Sequence, residues 1–230
     1  MEISSVIIEF TRFFLAGYFT FVAVFYAVRM SLKKRAGIHK VVYPGETYSL
    51  AWWNYTCFRF FRVAIWAVCV FRCFYPGFDN AIGYFHFMNF WPLILLGNLL
   101  LVGGFLATMV VHMGHGANWR SGIDPQGPEK LITEGFYKFS RNPMFLCIAI
   151  AQLGFFLAMP SVFSAICLIF GWCTLYGQTI AEENSLMVYF PDEYARYLLK
   201  VRRWISPPES LSTLKRNLIH RSANQTTSSS

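Results

Sequence analysis

Leu131-Ile132-Thr133-Glu134-Gly135-Phe136-Tyr137-Lys138-Phe139-Ser140-Arg141-Asn142-Pro143-Met144 is a polar knot set between two apolar stretches, and its reading decides the fold. Gly135 and Pro143 punctuate it, while Lys138 and Arg141 alternate with the rings of Phe136, Tyr137 and Phe139. A second knot, Ala181-Glu182-Glu183-Asn184, follows an apolar hairpin. Long apolar stretches around two compact polar knots describe a membrane scaffold that brings the knots to one surface.

Composition agrees. The 230 residues are 55% hydrophobic and 19% aromatic but only 14% charged, well below the share that a water-soluble domain carries. The net charge of +8 does not argue for nucleic acid, because the Lys and Arg cluster beside apolar stretches and in the C-terminal tail. Six cysteines lie in or beside apolar stretches without a C-x-x-C pair, as small buried side chains do.

C-terminal to the first knot, residues 143–159 and 161–181 form a hairpin across Met159-Pro160-Ser161. The first arm rises about 25 Å, just short of a ~30 Å hydrocarbon core, so it crosses with little tilt. Glu182 and Glu183 end the second arm. Pro191, Asp192 and Glu193 then open another helix, with Tyr194, Tyr197, Leu198 and Val201 on one face and Arg196, Lys200 and Arg203 on the other. That pattern predicts an amphipathic helix lying at the interface. Residues 206–230 read as a disordered, Ser/Thr-rich tail.

N-terminal to the knot, residues 112–142 form a long polar loop, preceded by an apolar span at 90–111. Gly97, Gly103, Gly104 and Ala107 there permit close helix packing. Another span, 58–74, carries Arg59, Arg62 and Arg72, read as lying toward its ends where snorkelling lowers their cost. Residues 41–54 read as a re-entrant or interfacial connection. The first span, 5–30, holds Glu9 and Arg12 three apart, able to pair or to reach the interface. The expected fold is all-α: a polytopic membrane protein with about five transmembrane helices and a C-terminal amphipathic cytoplasmic helix. Its parts are three N-terminal spans (1–112), a core (113–205) and the tail. Basic residues at Lys33, Lys34, Arg35 and Lys40, in the long loop and after the last span place the C-terminus in the cytoplasm and the N-terminus outside, in a bacterial inner membrane or the endoplasmic reticulum.

Several residues carry two readings. Asn142 and Pro143 make a well-built helix start, or, with Arg141, an anion site at the membrane surface. Glu182 and Glu183 either face water at a helix end or face a cation such as an ammonium or sulfonium. His112 and His115 lie three apart without a matching carboxylate, which is a cap or interface pattern rather than a metal site.

The residues from Leu131 to Tyr137, with Arg141-Asn142-Pro143-Met144-Phe145, resemble the L-x-x-x-G-x-Y…R-H-P-x-Y signature of the isoprenylcysteine carboxyl methyltransferase and phospholipid methyltransferase superfamily. The Glu182-Glu183 pair, then Phe190, Tyr194 and Tyr197, and Arg202-Arg203-Trp204-Ile205 continue the resemblance. It covers roughly residues 119–205. Asn142 stands where the isoprenylcysteine branch has His, but the phospholipid N-methyltransferases are similar to this chain in carrying Asn-Pro-Met; Phe145 replaces a Tyr.

The resemblance implies a membrane methyltransferase that binds S-adenosylmethionine at the cytoplasmic ends of the last spans. Gly135 and Tyr137 would line the cofactor. Arg141, Asn142 and Pro143 would hold its polar end, Glu182 or Glu183 its amino group, and Tyr194 and Tyr197 would enclose it. The acceptor would be a membrane lipid or a lipidated small substrate entering from the bilayer. Glu134, His112 or His115 would assist removal of a proton from an amine or thiol acceptor, and Arg203 would hold an anionic head group or serve only topology. The alternatives are a related membrane reductase using NADPH and a non-catalytic scaffold.

Overall fold

The computed structural model describes residues 3–35, 47–114, 127–128 and 130–205. These residues form helices α1 (Ile3–Arg35), α2 (Leu50–Phe74), α3 (Phe78–Ala81), α4 (Trp91–Gly114), α5 (Pro143–Ala158), α6 (Val162–Tyr189) and α7 (Pro191–Lys200). Short 3-10 turns lie at His86–Met88 and Gly135–Lys138. Strand pairing among the described residues is confined to one antiparallel bridge, Tyr84 to Ser161, so the all-α expectation holds. Helices α1, α4 and α6 are long and apolar enough to cross a membrane, and α5 is a shorter apolar helix. Phe10, Phe21, Leu99, Leu106, Ile169 and Phe170 face outward as a lipid-facing surface would require. The chain is an all-helical, polytopic membrane protein.

Three expectations change. Helix α2 begins at Leu50 rather than near residue 58, because the Ser49 hydroxyl accepts the backbone N–H of Trp52 and caps the end. Arg59 and Arg62 therefore stand nine and twelve residues beyond its start, in the middle of a 25-residue helix. Helix α6 runs past residue 181 to Tyr189, stopped by Phe190-Pro191, so both glutamates lie inside a helix rather than at its end. Arg12, finally, does not turn to Glu9. Its guanidinium reaches Asp79 Oδ2 at 3.0 Å, and Arg72 donates to the other carboxylate oxygen.

The bundle is drawn together by small residues and by that carboxylate. The closest contact is between α4 and α5, where backbones meet directly. A methyl group at Gly97 would fall 2.3 Å from the Ala158 amide nitrogen, one at Gly154 would fall 2.3 Å from that of Leu101, and one at Gly104 would fall 2.7 Å from that of Ala151. Gly103 meets nothing. Helix α1 joins through Asn98, whose amide donates to the Thr11 hydroxyl at 2.8 Å in a buried site. Leu15, Cys69, Leu101, Phe155 and Cys167 share one core drawn from five helices, and all six cysteines are free thiols.

Call the end of the bundle where α1 begins and α2 stops the far end, and the opposite one the site end. At the far end the hairpin turn is pinned to the loop after α3: Phe85 donates to the Pro160 carbonyl at 2.8 Å and Val162 to the Gly83 carbonyl at 3.0 Å. Gly83 has φ +67, and a methyl there would lie 2.8 Å from Val162 Cγ2, so glycine is required on both counts. Asp79 anchors this loop to α1 and α2 together. Burial alone would raise its carboxyl, but the hydrogen bonds and charges of Arg72 and then Arg12 outweigh it and hold the group below the usual carboxylate range.

Two predictions follow from packing and charge. Gly97→Ala should cost about 1–3 kcal/mol by overpacking against a backbone that has no room to move. Gly103→Ala should be nearly neutral, and thermal unfolding of both variants in one detergent decides. A depressed folded pKa stabilises above the unfolded value, near 4, and the contribution disappears as pH falls through the lower folded value. The thermal midpoint of the native chain should therefore exceed that of Asp79→Asn by a constant margin near neutral pH. That margin should shrink below about pH 4; a margin unchanged well into acid would show that Asp79 is not what holds the far end.

Candidate functional site

At the site end, the segment 131–142, the last turns of α6, helix α7 and residues 201–205 converge on one carboxylate. Glu183 is buried, and its Oε2 receives Arg203 Nη2 at 3.1 Å and Arg141 Nη2 at 3.5 Å. Arg203 Nε adds a second contact to Oε1 at 3.2 Å, making the pair two-pronged. Asn142 Nδ2 donates to the same Oε1 at 2.9 Å. Two guanidinium groups and one carboxamide thus close on a single anion.

The backbone explains why these groups meet. Residues 202–203 run beside the start of α5: Arg141 N–H donates to the Arg202 carbonyl at 3.1 Å, and Ser140 Oγ donates to the Arg203 carbonyl at 3.2 Å. Ser140 Oγ also accepts the Asn142 N–H at 3.0 Å. Asn142 occupies the cap position of α5, followed by Pro143, as the spacing predicts, but its side chain makes no capping bond. It turns to Glu183 and to the Arg203 carbonyl, at 3.3 Å. The anion that a helix start attracts is here the chain's own glutamate.

Helix α7 folds back over this centre. Tyr194, Tyr197 and Val201 are buried against Leu131, Tyr137, Leu186 and Phe190. The Tyr197 hydroxyl donates to the Tyr137 carbonyl at 2.6 Å, which ties α7 to the Gly135–Lys138 turn. That turn opens on Gly135 with φ +64, a left-handed conformation that side chains resist, and a methyl there would meet nothing, so the space before it is open. Arg196, Leu199 and Lys200 point away from the centre, as an amphipathic helix requires.

Glu182 stands apart from the lock. Its carboxylate accepts Gln178 Nε2 at 3.3 Å, from one turn earlier on α6, and no cation pairs with it among the described residues. It lies close enough to Tyr137 and Tyr194 for its charge to reach both. Burial first, and then the Glu182 charge, push the Tyr137 hydroxyl up. Burial pushes that of Tyr194 up to about 12, with Glu183 adding to it against Arg141 and Arg203. Both rings stay neutral donors at ordinary pH. The Tyr194 hydroxyl is fully buried without a hydrogen-bond partner, and Arg141 Nε is likewise buried without an acceptor.

The sequence-derived residues fall into two sets. Arg141, Asn142, Glu183 and Arg203 form the lock, with Pro143 starting α5 beneath it. Tyr137, Glu182, Tyr194 and Tyr197 lie together beside it, with Gly135 opening the turn that carries Tyr137. Glu134 is exposed at the entry of the turn and joins neither set. His112 is buried near the end of α4. His115 lies outside the described residues. Sequence reasoning missed Ser140 and Gln178; Tyr176, against whose ring the Arg203 guanidinium rests at 5.7 Å, was missed as well. Gln178 alone left a signal, four residues before Glu182 on one helix face.

Fold and site together define a membrane-embedded helical hairpin with a polar, charge-locked centre at one end and an amphipathic helix closed over it. Residues 91–192 match the phospholipid methyltransferase family, from the start of α4 to the start of α7. The match is consistent with the membrane methyltransferase superfamily that the motifs of this stretch resemble. No curated protein and no solved structure matches the chain significantly.

Removing the shared anion should leave two guanidinium groups facing each other. Glu183→Gln is therefore expected to lose on the order of 3 kcal/mol, read as a lower thermal midpoint in detergent. Glu182→Gln, which breaks no ion pair, should lower it little or not at all. Equal losses in the two variants would refute the division of labour between the glutamates.

Proposed function

We propose that the protein is an S-adenosylmethionine-dependent methyltransferase acting on a membrane-embedded lipid-like or lipidated acceptor. The observation that carries this reading is the asymmetry of the glutamate pair. Glu183 is neutralised inside the chain, whereas Glu182 meets no cation among the described residues and lies near the buried, unpartnered Tyr194 hydroxyl, while Arg141 Nε stays unpartnered within the lock. A carboxyl without a cation, a guanidinium N–H without an acceptor and a neutral hydroxyl donor suit a zwitterionic amino-acid end attached to a cationic sulfur. The residues fit the cofactor that the matching family implies.

In this reading Glu182 holds the ammonium group and Arg141 Nε the carboxylate. Tyr194 donates a hydrogen bond from a buried hydroxyl that burial keeps protonated. Gly135 leaves room for backbone approach, and Tyr137 and Tyr197 wall the space against water. When bound, the cofactor supplies a methyl group on a sulfonium, an electrophile that needs placement more than activation. The chain's contribution is to fix the donor and to offer the acceptor an approach from the apolar side, an advantage of several kcal/mol through orientation. Arg203 touches none of these groups and serves as a positioning residue for Glu183 and Asn142. Glu134, exposed at the entry of the turn, would in this reading take a proton from an amine or thiol acceptor.

Titration calorimetry of the detergent-purified chain tests the assignment. S-adenosylmethionine should bind saturably, and Glu182→Gln should weaken it on the order of tenfold to a hundredfold, the value of one hydrogen bond to a charged group. Binding of NADPH instead would make the protein a reductase. Binding of neither by folded protein would remove both enzymatic readings.

A further inference from the structure

A cavity of about 450 Å³ opens between α1, α2, α4, α5 and α6, away from the Glu182 centre. Its size lies within the roughly 300–1,000 Å³ of sites that hold small molecules. The walls are apolar and aromatic, with Phe19, Ile65, Phe105 and Phe155 among them, but two arginines of one helical turn, Arg59 and Arg62, also line it. Each guanidinium lies near a tyrosine ring, Arg62 at 5.7 Å from Tyr26 and Arg59 at 5.9 Å from Tyr55. No carboxylate pairs with either among the described residues. Both are exposed on α2, so their guanidinium groups are open to an anion that the chain does not itself supply. Gln152 adds a buried amide oxygen without a partner to the same cavity, its side chain pressed against Gly171.

We infer that this cavity is a binding site for an anionic phospholipid of the surrounding bilayer, with an acyl chain among the aromatic walls and the phosphate between Arg59 and Arg62. Charge complementarity selects the occupant. The apolar walls suit a hydrocarbon chain, and two adjacent forked donors with no internal anion suit a phosphate, which guanidinium groups bind two-pronged. Arg59 and Arg62 lie outside the stretch that matches the methyltransferase family, so the site is not part of the centre at Glu182. It stands or falls independently of the methyl-transfer reading. The site is a resident-lipid site built on the N-terminal helix pair.

Trp66 reports on it directly, since its ring lines the cavity and its indole N–H is held by the Thr20 hydroxyl at 3.0 Å. The full chain is placed in nanodiscs of phosphatidylcholine doped with phosphatidylglycerol brominated on its acyl chains, and emission is compared with that of Trp66→Phe to isolate the Trp66 signal. Brominated phosphatidylglycerol should quench Trp66 at a lipid fraction on the order of tenfold lower than brominated phosphatidylcholine, as expected for two basic residues near one phosphate. Arg59→Gln/Arg62→Gln should abolish that preference, and Arg59→Lys/Arg62→Lys should keep most of it. Equal quenching of the native chain by both lipids would overturn the proposal even if the double variant fails to fold. A preference that survives in a folded double glutamine variant would do so too. Brominated oleic acid quenching as well as phosphatidylglycerol would assign the cavity to a fatty acid instead.

Discussion

The site end depends on one buried carboxylate. Glu183 accepts from Arg141, Asn142 and Arg203, three groups that come from the turn before α5 and from the segment after α7. Without an anion at this point, two guanidinium groups would be forced together beside the start of a helix. With it, the start of α5, the end of α6 and residues 201–205 become one rigid unit. The bonds from the Arg141 N–H to the Arg202 carbonyl and from the Ser140 hydroxyl to the Arg203 carbonyl belong to the same closure. Helix α7 can close over the centre because both its ends are then fixed: one by α6, the other by this lock.

The two glutamates show how neighbours on one helix acquire different chemistry. Adjacent residues on an α-helix project about 100° apart, so a lock built around one leaves the next facing elsewhere. Glu183 is offset by cations from its own chain. Glu182 meets only an amide and two neutral tyrosines. A partly buried carboxyl without a cation is costly to ionise, and it stands near the buried Tyr194 hydroxyl, which is also without a partner.

Much of the architecture was legible in the sequence because lipid imposes simple rules. Apolar stretches marked α1, α4, α5 and α6, the Met159-Pro160-Ser161 turn marked the hairpin, and Pro191 with Asp192 and Glu193 marked α7. The start of α2 was not legible, because Trp52, Trp53 and Asn54 mimic an interfacial loop and the cap that begins the helix is a single serine. Partners distant in sequence were hidden for a related reason. Arg12 meets Asp79 across 67 positions and Asn142 meets Glu183 across 41, and no local spacing encodes either pairing. Gly97 and Gly104 were read as packing residues and are, whereas Gly103, beside them, touches nothing, because only one face of α4 meets α5.

Helix α5 has 16 residues and so rises about 24 Å, while its partner α6, with 28, rises about 42 Å. Pinned level at the far-end turn, the two arms finish at different depths. The shorter stops some 6 Å before a ~30 Å hydrocarbon layer does. Glu182 and Glu183 stand about 30 Å along α6 from that turn, while Pro143 opens α5 about 24 Å from it. A short helix paired with a long one thus makes a step, and α7 folds back across that step. The unequal length of the two arms is what gives the lock its recess.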